Sequence, residues 1–409
     1  MNVMFLTLEN YINFQGRSIY LDLVNKFIEK GHYVTVISAR EERDAKAGDL
    51  DYYDCGESGE IYKVNTSNVT KVDNFIAKGF SLVGLLPKYR TMAVKAMKKR
   101  NYDLVFYGSP PITVYWAVNA VKKKQGAASY LLLKDIWPYD CVFGGALEQN
   151  GWKKIAFDIL VHMARKLYAV SDRIGCMSNA NIRFLTDNEP KLDKRKVEIN
   201  PNSIEPLVKN ISEEEKKELR EHYQLPKDKK IFLYGGSLGI PQGIDFAMES
   251  VEKSMVVSDS FFLFVGSGTE RDHIEQIARE KKLTNFRLMP AIPKQEYENL
   301  VYACDVGLIY LNYECQSPNY PSRLLTYMQA ALPVLCATDT YTDIGQDAEA
   351  GEYGVWCPSN DPQRFAELVR NMCESGCIEK MGKKARDTLL SRYSVENSYN
   401  IIIESMEKK

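Results

Sequence analysis

Twice along this chain a short apolar run leads through a loop into a helix-period segment and out into a second apolar run. That alternation leaves few folds open. Val3 to Leu8 is the first such strand, and a polar loop, Glu9 to Gly16, follows it. Tyr20, Leu23, Val24, Phe27 and Ile28 then share one helix face, Gly31 closes the helix, and Tyr33 to Ser38 is the next strand. Parallel strands need a crossover of this kind, so the unit implies a parallel sheet flanked by helices. The pattern continues through strands at Asp103–Tyr107, Tyr130–Leu133 and Arg173–Met177, with an amphipathic helix over 152–173. It restarts with strands at Ile231–Tyr234, Phe261–Val265, Phe286–Leu288 and Val306–Leu311, with helices from Ile244 and over Glu296–Ala303. Residues 41–68 read as polar and irregular, and the Asp49-Leu50-Asp51 triplet there reads as surface.

A chain of 409 residues exceeds one ordinary core, and two α/β domains of about 200 residues each are the natural division. The turn-rich stretch Ile199 to Ser203 sets the boundary: residues 1–205 form one domain, 206–390 the second, and 391–409 a C-terminal helix that packs back on the first. The net charge of −1 gives no electrostatic call for nucleic acid. No apolar run approaches the roughly 20 residues of a membrane-spanning helix, and Met1 to Leu8 lacks the basic start of a signal peptide. Nine scattered cysteines fit reduced thiols, so a cytoplasmic protein is expected. Cys373 and Cys377 have no second pair of zinc-finger spacing, and no metal site is expected. His32, His162, His222 and His273 sit away from the strand ends where ligands bind, and none is assigned a role.

Residues 74–102 contain no acid. Lys78, Lys88, Arg90, Lys95, Lys98, Lys99 and Arg100 interleave there with Phe75, Ile76, Phe80, Leu82, Val83, Leu85 and Leu86. The stretch fits attachment to an anionic membrane surface, and it equally fits a core-packing helix with a basic solvated face.

In parallel sheets ligands bind at the carboxyl ends of strands. Three such places carry polar residues: the Glu9–Gly16 loop, Ser109 at Gly108-Ser109-Pro110-Pro111, and Lys134-Asp135-Ile136-Trp137-Pro138. In the second domain the strand at Ile231–Tyr234 opens into G-G-S-L-G-I-P-Q-G, Gly235 to Gly243, a loop able to cradle phosphate through its amides. It has neither the Gly-Lys-Ser/Thr of a Walker loop nor dinucleotide G-x-G-x-x-G spacing, and Gly266-Ser267-Gly268 fails the same test. Gln316 to Ala337 reads as loop, helix and strand, with Ser322 and Arg323 at the helix's positive end. An ordinary helix start with a solvated arginine fits that stretch too. Beside the 235–243 loop, it becomes the second half of a clamp for one diphosphate, held without a metal.

These motifs, in this order over nearly the whole chain, resemble retaining group-1 glycosyltransferases, family four, of the GT-B fold: two Rossmann-like domains facing a central cleft. The matching runs are F-L-Y-G-G-S-L-G-I-P-Q-G, F-L-F-V-G-S-G, R-L-M-P-A-I-P, A-C-D-V-G-L-I-Y-L and P-S-R-L-L-T-Y-M-Q-A-A-L-P-V-L. In the first domain Y-D-L-V-F-Y-G-S-P-P and L-K-D-I-W-P resemble the branch that assembles O-antigen, capsule and colanic-acid-type polysaccharides. The resemblance implies a nucleotide-sugar donor, a UDP-sugar, as substrate, and no cofactor. Its contacts would be Gly236, Ser237, Gly239, Gln242, Met289, Ile292, Asn319, Ser322, Arg323 and Thr326. It implies a polyprenyl-diphosphate-linked or oligosaccharide acceptor near Asn10, Gly16, Ser109, Lys134 and Trp137, with Arg323 and Asp135 as the catalytic pair. The family often has two glutamates eight positions apart, and Pro318 and Thr326 stand there. Its usual Arg and Lys in the glycine loop are Gly236 and Gln242, and its usual Gly before the next Pro is Leu332. The alternative these departures raise is a degenerate relative that binds nucleotide sugar or a partner transferase without turnover.

Overall fold

The structure, a computed structural model, describes residues 1–68, 75–142, 147, 150–151 and 153–407, with the side chains of 75–81 outside the description. Contacts divide the chain into two units, Met1–Glu205 with Val395–Lys409, and Pro206–Ser394.

The first unit runs β1 (Asn2–Thr7), α1 (Ile19–Glu29), β2 (Tyr33–Glu41), β3 (Tyr52–Asp54), β4 (Gly59–Thr66), α2 (Phe75–Met97), β5 (Leu104–Ser109), α3 (Tyr115–Gln125), β6 (Ala128–Leu133), α4 (Lys153–Val170), β7 (Arg173–Cys176), α5 (Asn179–Asn188) and β8 (Val197–Ile199). Among the described residues the sheet order is β3-β4-β2-β1-β5-β6-β7-β8, parallel except for β3 against β4. Val3, Phe5, Leu104 and Phe106 fill one face of the sheet, and Met4, Leu6, Val105 and Tyr107 the other. Both faces being buried is why these strands read as continuous apolar runs. Ser18 begins α1, its hydroxyl accepting from the Leu21 amide at 3.0 Å.

The irregular reading of 41–68 is corrected. β4 pairs with β2 from Val34↔Gly59 to Glu41↔Thr66. The stretch hides its strand because two of its buried positions are charged. Glu60 accepts from the Tyr52 hydroxyl at 3.0 Å and from Thr35 Oγ1 at 3.1 Å, and Lys63 bonds Asn10 and Ser38. The Asp49–Asp51 triplet holds Arg40 rather than lying idle, Arg40 Nη2 reaching Asp51 at 2.5 Å.

In α2, Leu82, Leu85, Leu86, Tyr89, Ala93 and Ala96 are core residues. Lys99 lies 4.1 Å over the Tyr52 ring, Lys95 lies 5.7 Å over Tyr62, and Lys88 bonds the Asn65 carbonyl. From Leu82 on, those six side chains pack in the core, while Val83 and the basic residues Lys88, Arg90, Lys95, Lys98 and Lys99 are exposed. Residue 74 and the side chains of 75–81 lie outside the described residues. No helix among the described residues is long and apolar enough to cross a membrane.

The second unit runs α6 (Glu213–His222), β9 (Lys230–Ser237), α7 (Ile244–Lys253), β10 (Ser260–Ser267), α8 (Arg271–Glu280), β11 (Phe286–Met289), α9 (Lys294–Tyr302), β12 (Val306–Tyr310), α10 (Arg323–Gln329), β13 (Val334–Thr338), α11 (Ile344–Ala350), β14 (Gly354–Pro358), α12 (Pro362–Glu374) and α13 (Ile378–Arg392). Its parallel sheet has the order β11-β10-β9-β12-β13-β14. A buried cluster ties its amino-terminal edge: Asp305 accepts from Arg220 at 2.5 Å, Lys216 at 2.8 Å and the Ile231 amide at 2.7 Å. The last helix, α14 (Val395–Glu407), belongs to the first unit and packs against α1, where Lys30 meets Glu396 at 2.7 Å and His32 meets the Tyr399 hydroxyl at 2.8 Å.

Each sheet has one switch point. After β1 the chain moves outward through β2 and β4, then returns to the other side of β1 as β5. After β9 it moves outward through β10 and β11, then returns beside β9 as β12. The loops leaving such a strand pair diverge and open a crevice at the carboxyl edge.

Candidate functional site

At the switch point of the second unit lie the two stretches expected to clamp a diphosphate. β9 ends in Gly235-Gly236-Ser237, and the Gly235 amide donates to the Tyr327 hydroxyl at 3.0 Å. A Cβ on Gly235 would fall 1.8 Å from the Tyr297 hydroxyl oxygen, so two tyrosines from α9 and α10 close against a residue with no side chain. Gly236 has φ +140° and stays exposed. A Cβ there would sit 3.2 Å from the guanidinium carbon of Arg323. The two predicted halves therefore touch. The guanidinium occupies the space beside Gly236, 4.5 Å over the centre of the Tyr234 ring. Its Nη1 is buried and has no hydrogen-bond partner among the described residues.

The loop is braced from within. The Tyr234 hydroxyl donates to the Ser237 carbonyl at 2.7 Å, and the Leu238 amide to the Ser267 carbonyl at 3.0 Å. Gln242 Oε1 accepts from the Gly239 amide at 3.1 Å, so the acceptor half of this side chain closes the loop on itself. Ser237 is exposed and Gly239 half-buried. Met289 ends β11 and Ile292 lies in the following loop, both half-buried. Arg271 spans the same edge, bonding the carbonyls of Gly266 at 3.3 Å and Met289 at 3.2 Å.

The helix start is less generous than expected. α10 has seven residues, and its first amides are already used, Leu324 bonding the Pro321 carbonyl and Leu325 the Ser322 carbonyl. Ser322 is exposed and its hydroxyl caps nothing. The free-amide part of the anion reading is corrected accordingly, and the guanidinium carries the positive charge. Asn319 is exposed, its amide held by Thr342 Oγ1 at 3.2 Å. Thr326 lies half-buried on α10. Leu332 is buried and packs in the core where the family has a glycine.

In the first unit Asn10, Ser109, Lys134 and Asp135 follow β1, β5 and β6, three neighbouring strands, and so share the switch-point edge. Asn10 Oδ1 accepts from the Lys63 ammonium at 2.5 Å, and Ser38 Oγ shares that ammonium at 3.1 Å. Burial first, then the nearby Arg40, lowers Lys63 to about 8. Gly16 is exposed at φ +94°, a conformation that suits glycine. Ser109 is fully buried, its hydroxyl on the Asp135 carbonyl at 3.4 Å. It supports the edge from below, and its expected role as a direct contact is corrected. Lys134 points to the Asn200 carbonyl at 3.5 Å, and burial lowers it to about 7. Trp137 packs partly against the core. Asp135 keeps an exposed face, yet the crowding around its carboxyl raises it to about 7, with Asp140 adding and Lys134 opposing.

Three participants escaped the sequence reading. Tyr234 reads as one more apolar strand residue, and Tyr327 as one more helix-face residue. Lys63 sits within 41–68, where buried charges obscure the strand. The hint for Lys63 was available in Glu60-Ile61-Tyr62-Lys63-Val64, a short run dense in β-branched and aromatic residues. No group of three potential ligands able to hold a metal ion occurs among the described residues.

Comparison with known proteins gives the context. The family model described as Glycosyl transferases group 1 matches residues 215–388. A probable glycosyltransferase, WbjE, of Pseudomonas aeruginosa is 26% identical over 300 residues, covering 73% of this chain and 72% of its own. WcaI of Escherichia coli K12, a putative colanic acid biosynthesis glycosyl transferase, is 21% identical over 380 residues, covering 90% of this chain and 89% of its own. Among solved structures, sucrose-phosphate synthase from Thermosynechococcus elongatus superposes with a TM-score of 0.75 at 15% identity, covering 100% of this chain and 99% of that one. HepE from Anabaena in complex with UDP superposes with a TM-score of 0.70 at 13% identity, covering 100% of both. The two-unit parallel α/β architecture is the GT-B fold.

Proposed function

With residues 215–388 forming a group 1 glycosyl transferase domain, we propose that this chain moves a hexose or N-acetylhexosamine from a UDP-sugar to a lipid-linked or oligosaccharide acceptor in surface-polysaccharide synthesis, with retention of anomeric configuration and without a metal. The observation that carries the reading is Arg323: a guanidinium held against Gly236, with Nη1 lacking a partner among the described residues. A half-satisfied buried cation costs free energy that an anion beside it returns. HepE was solved with UDP, and WcaI is described as acting in colanic acid biosynthesis, which supports the donor and the pathway class.

In this reading the donor diphosphate lies along Gly236, Ser237 and Gly239 and against Arg323. Charge develops on the leaving diphosphate as the glycosidic bond breaks, and a fixed guanidinium stabilises that charge. The acceptor hydroxyl attacks from the face the diphosphate leaves, a donor phosphate oxygen takes its proton, and the protein contributes chiefly by positioning. Asp135 and Asn10 hold acceptor or sugar hydroxyls. The membrane-facing part of the proposal rests on the acceptor class alone.

Thr326 favours a second reading. It presents a short hydroxyl where the family places a ribose-binding glutamate, which fits a protein that binds nucleotide sugar without turnover. One experiment separates the two. Thermal midpoints are measured with UDP, ADP, GDP and their common sugars, and the binding donor is then incubated with polyprenyl-diphosphate-linked acceptors and followed by mass spectrometry. Glycosylated acceptor supports transfer. A bound donor that stays intact with every acceptor supports the second reading, and no midpoint shift with any nucleotide rejects both.

A further inference from the structure

Tyr234 sits at the centre of the second unit's switch point and touches both halves of the clamp. It lies on β9 two residues before Gly236, almost fully buried, with Phe264 and Tyr310 rings 5.2 and 5.9 Å away. One face of its ring carries the Arg323 guanidinium at 4.5 Å. Its hydroxyl donates to the Ser237 carbonyl at 2.7 Å and also lies close enough to interact with the guanidinium. One side chain thus fixes the height of the guanidinium through its ring and the path of the glycine loop through its hydroxyl.

A phenylalanine would fill the same core volume, so packing alone does not call for the hydroxyl. An arginine at the start of a seven-residue helix has four rotatable side-chain bonds and, among the described residues, no carboxylate partner for its guanidinium. What holds it over Gly236 is Tyr234, through the ring's negative face and the nearby hydroxyl. The loop has a matching need, since Gly236 has no side chain to anchor it and adopts φ +140°.

We propose that Tyr234 is a positioning residue of the donor site, setting the spacing between the Arg323 guanidinium and the Gly236–Ser237 backbone to the width of a diphosphate. The inference rests on the donor reading above and adds a residue to it that contacts no substrate. A monophosphate needs only one wall of the clamp, whereas a diphosphate must meet both, so an error in their separation penalises the second phosphate selectively.

The test is the ratio of UMP to UDP dissociation constants, measured by isothermal titration on the full chain. Wild type is expected to bind UDP at least tenfold tighter than UMP. Tyr234→Phe keeps the ring and frees the Ser237 carbonyl, and the ratio should fall about threefold. Tyr234→Leu removes the platform as well, and the ratio should fall at least tenfold while UMP affinity changes less than twofold. A merely structural tyrosine would weaken both nucleotides together and leave the ratio alone. An unchanged ratio in either variant overturns the proposal, and Tyr234→Phe decides it if Tyr234→Leu does not fold. A wild-type protein that binds UDP no better than UMP overturns the diphosphate clamp itself. That failure is distinguishable, because it appears before any variant is made.

Discussion

Replacing Arg323 by methionine separates the fold from the function at one position. In the free protein two terms oppose each other. The cation–π contact with Tyr234, at 4.5 Å, contributes about 0.5–2 kcal/mol. The buried Nη1 without a partner costs about 1–3 kcal/mol. Methionine loses the first and removes the second while filling similar space, so the free protein should fall between about 1 kcal/mol less stable and about 2.5 kcal/mol more stable. With ligand the balance is one-sided. A charge-assisted contact to phosphate is worth about 1.5–3 kcal/mol, or tenfold and more in affinity. The assay is the thermal midpoint with and without UDP. At UDP one hundred times the wild-type dissociation constant, binding adds about 2.7 kcal/mol; a tenfold weaker variant gains about 1.4 at the same concentration. For a domain of this size the difference is about 3–5 °C in the ligand-induced shift. Turnover, once an acceptor is in hand, should fall at least tenfold, about 1.4 kcal/mol in the barrier. A variant several degrees less stable when free, yet with the wild-type UDP shift, would make Arg323 a fold residue and refute the reasoning.

Other expectations rest on separate features. Gly235→Ala places a Cβ 1.8 Å from the Tyr297 hydroxyl oxygen, so the ring must move; overpacking of this kind costs about 1–3 kcal/mol, read as a lower urea midpoint, and an unchanged midpoint would show the ring gives way freely. Asp305→Ala strands the Arg220 and Lys216 charges that meet it at 2.5 and 2.8 Å. The loss should be about 3–5 kcal/mol, and a change under about 1 kcal/mol would show that water replaces the carboxylate. Lys63 titrates near 8 in the folded protein against an ordinary 10.5. Between those values the unfolded chain holds the extra proton, so this group makes stability rise with pH across that window, by on the order of 3 kcal/mol at most. Lys63→Met should remove that rise; a wild-type-minus-variant difference that is flat from pH 8 to 10.5 would count against a buried charge.

Much of the architecture was legible because it rests on patterns local in sequence. β1, β5 and β6 are buried on both faces and read as apolar runs, and the crossover helices carry a clear 3.6-residue period. β4 was not legible. Its burial of Glu60 and Lys63 is made possible by Tyr52 on the adjacent strand and by groups farther off in the chain, Thr35, Ser38 and Asn10, so the sequence shows only an alternation that does not sort into faces. The donor side divides in the same way. Glycines in a strand-to-helix loop and an arginine before a helix carry their chemistry in their residue types. That Arg323 bends onto Tyr234, and that Tyr327 reaches the Gly235 amide, depends on β9 and α10 meeting at a switch point about ninety residues apart in sequence. Ser322 shows the opposite error: helix-start logic promised free amides, but a short, tightly wound first turn had already consumed two of them.

The return of α14 to the first unit has a consequence for biosynthesis. α1 leaves Phe27 and its neighbours to be covered partly by Val395, Tyr399 and Ile402, residues that follow the whole second unit in the chain. At ribosomal speeds of about 5–20 residues per second, roughly 10–40 s separate emergence of the boundary at Glu205 from that of α14. During that interval the second unit is being made while the first still lacks a wall of its core. Premature termination anywhere in the second unit therefore leaves both units incomplete rather than one.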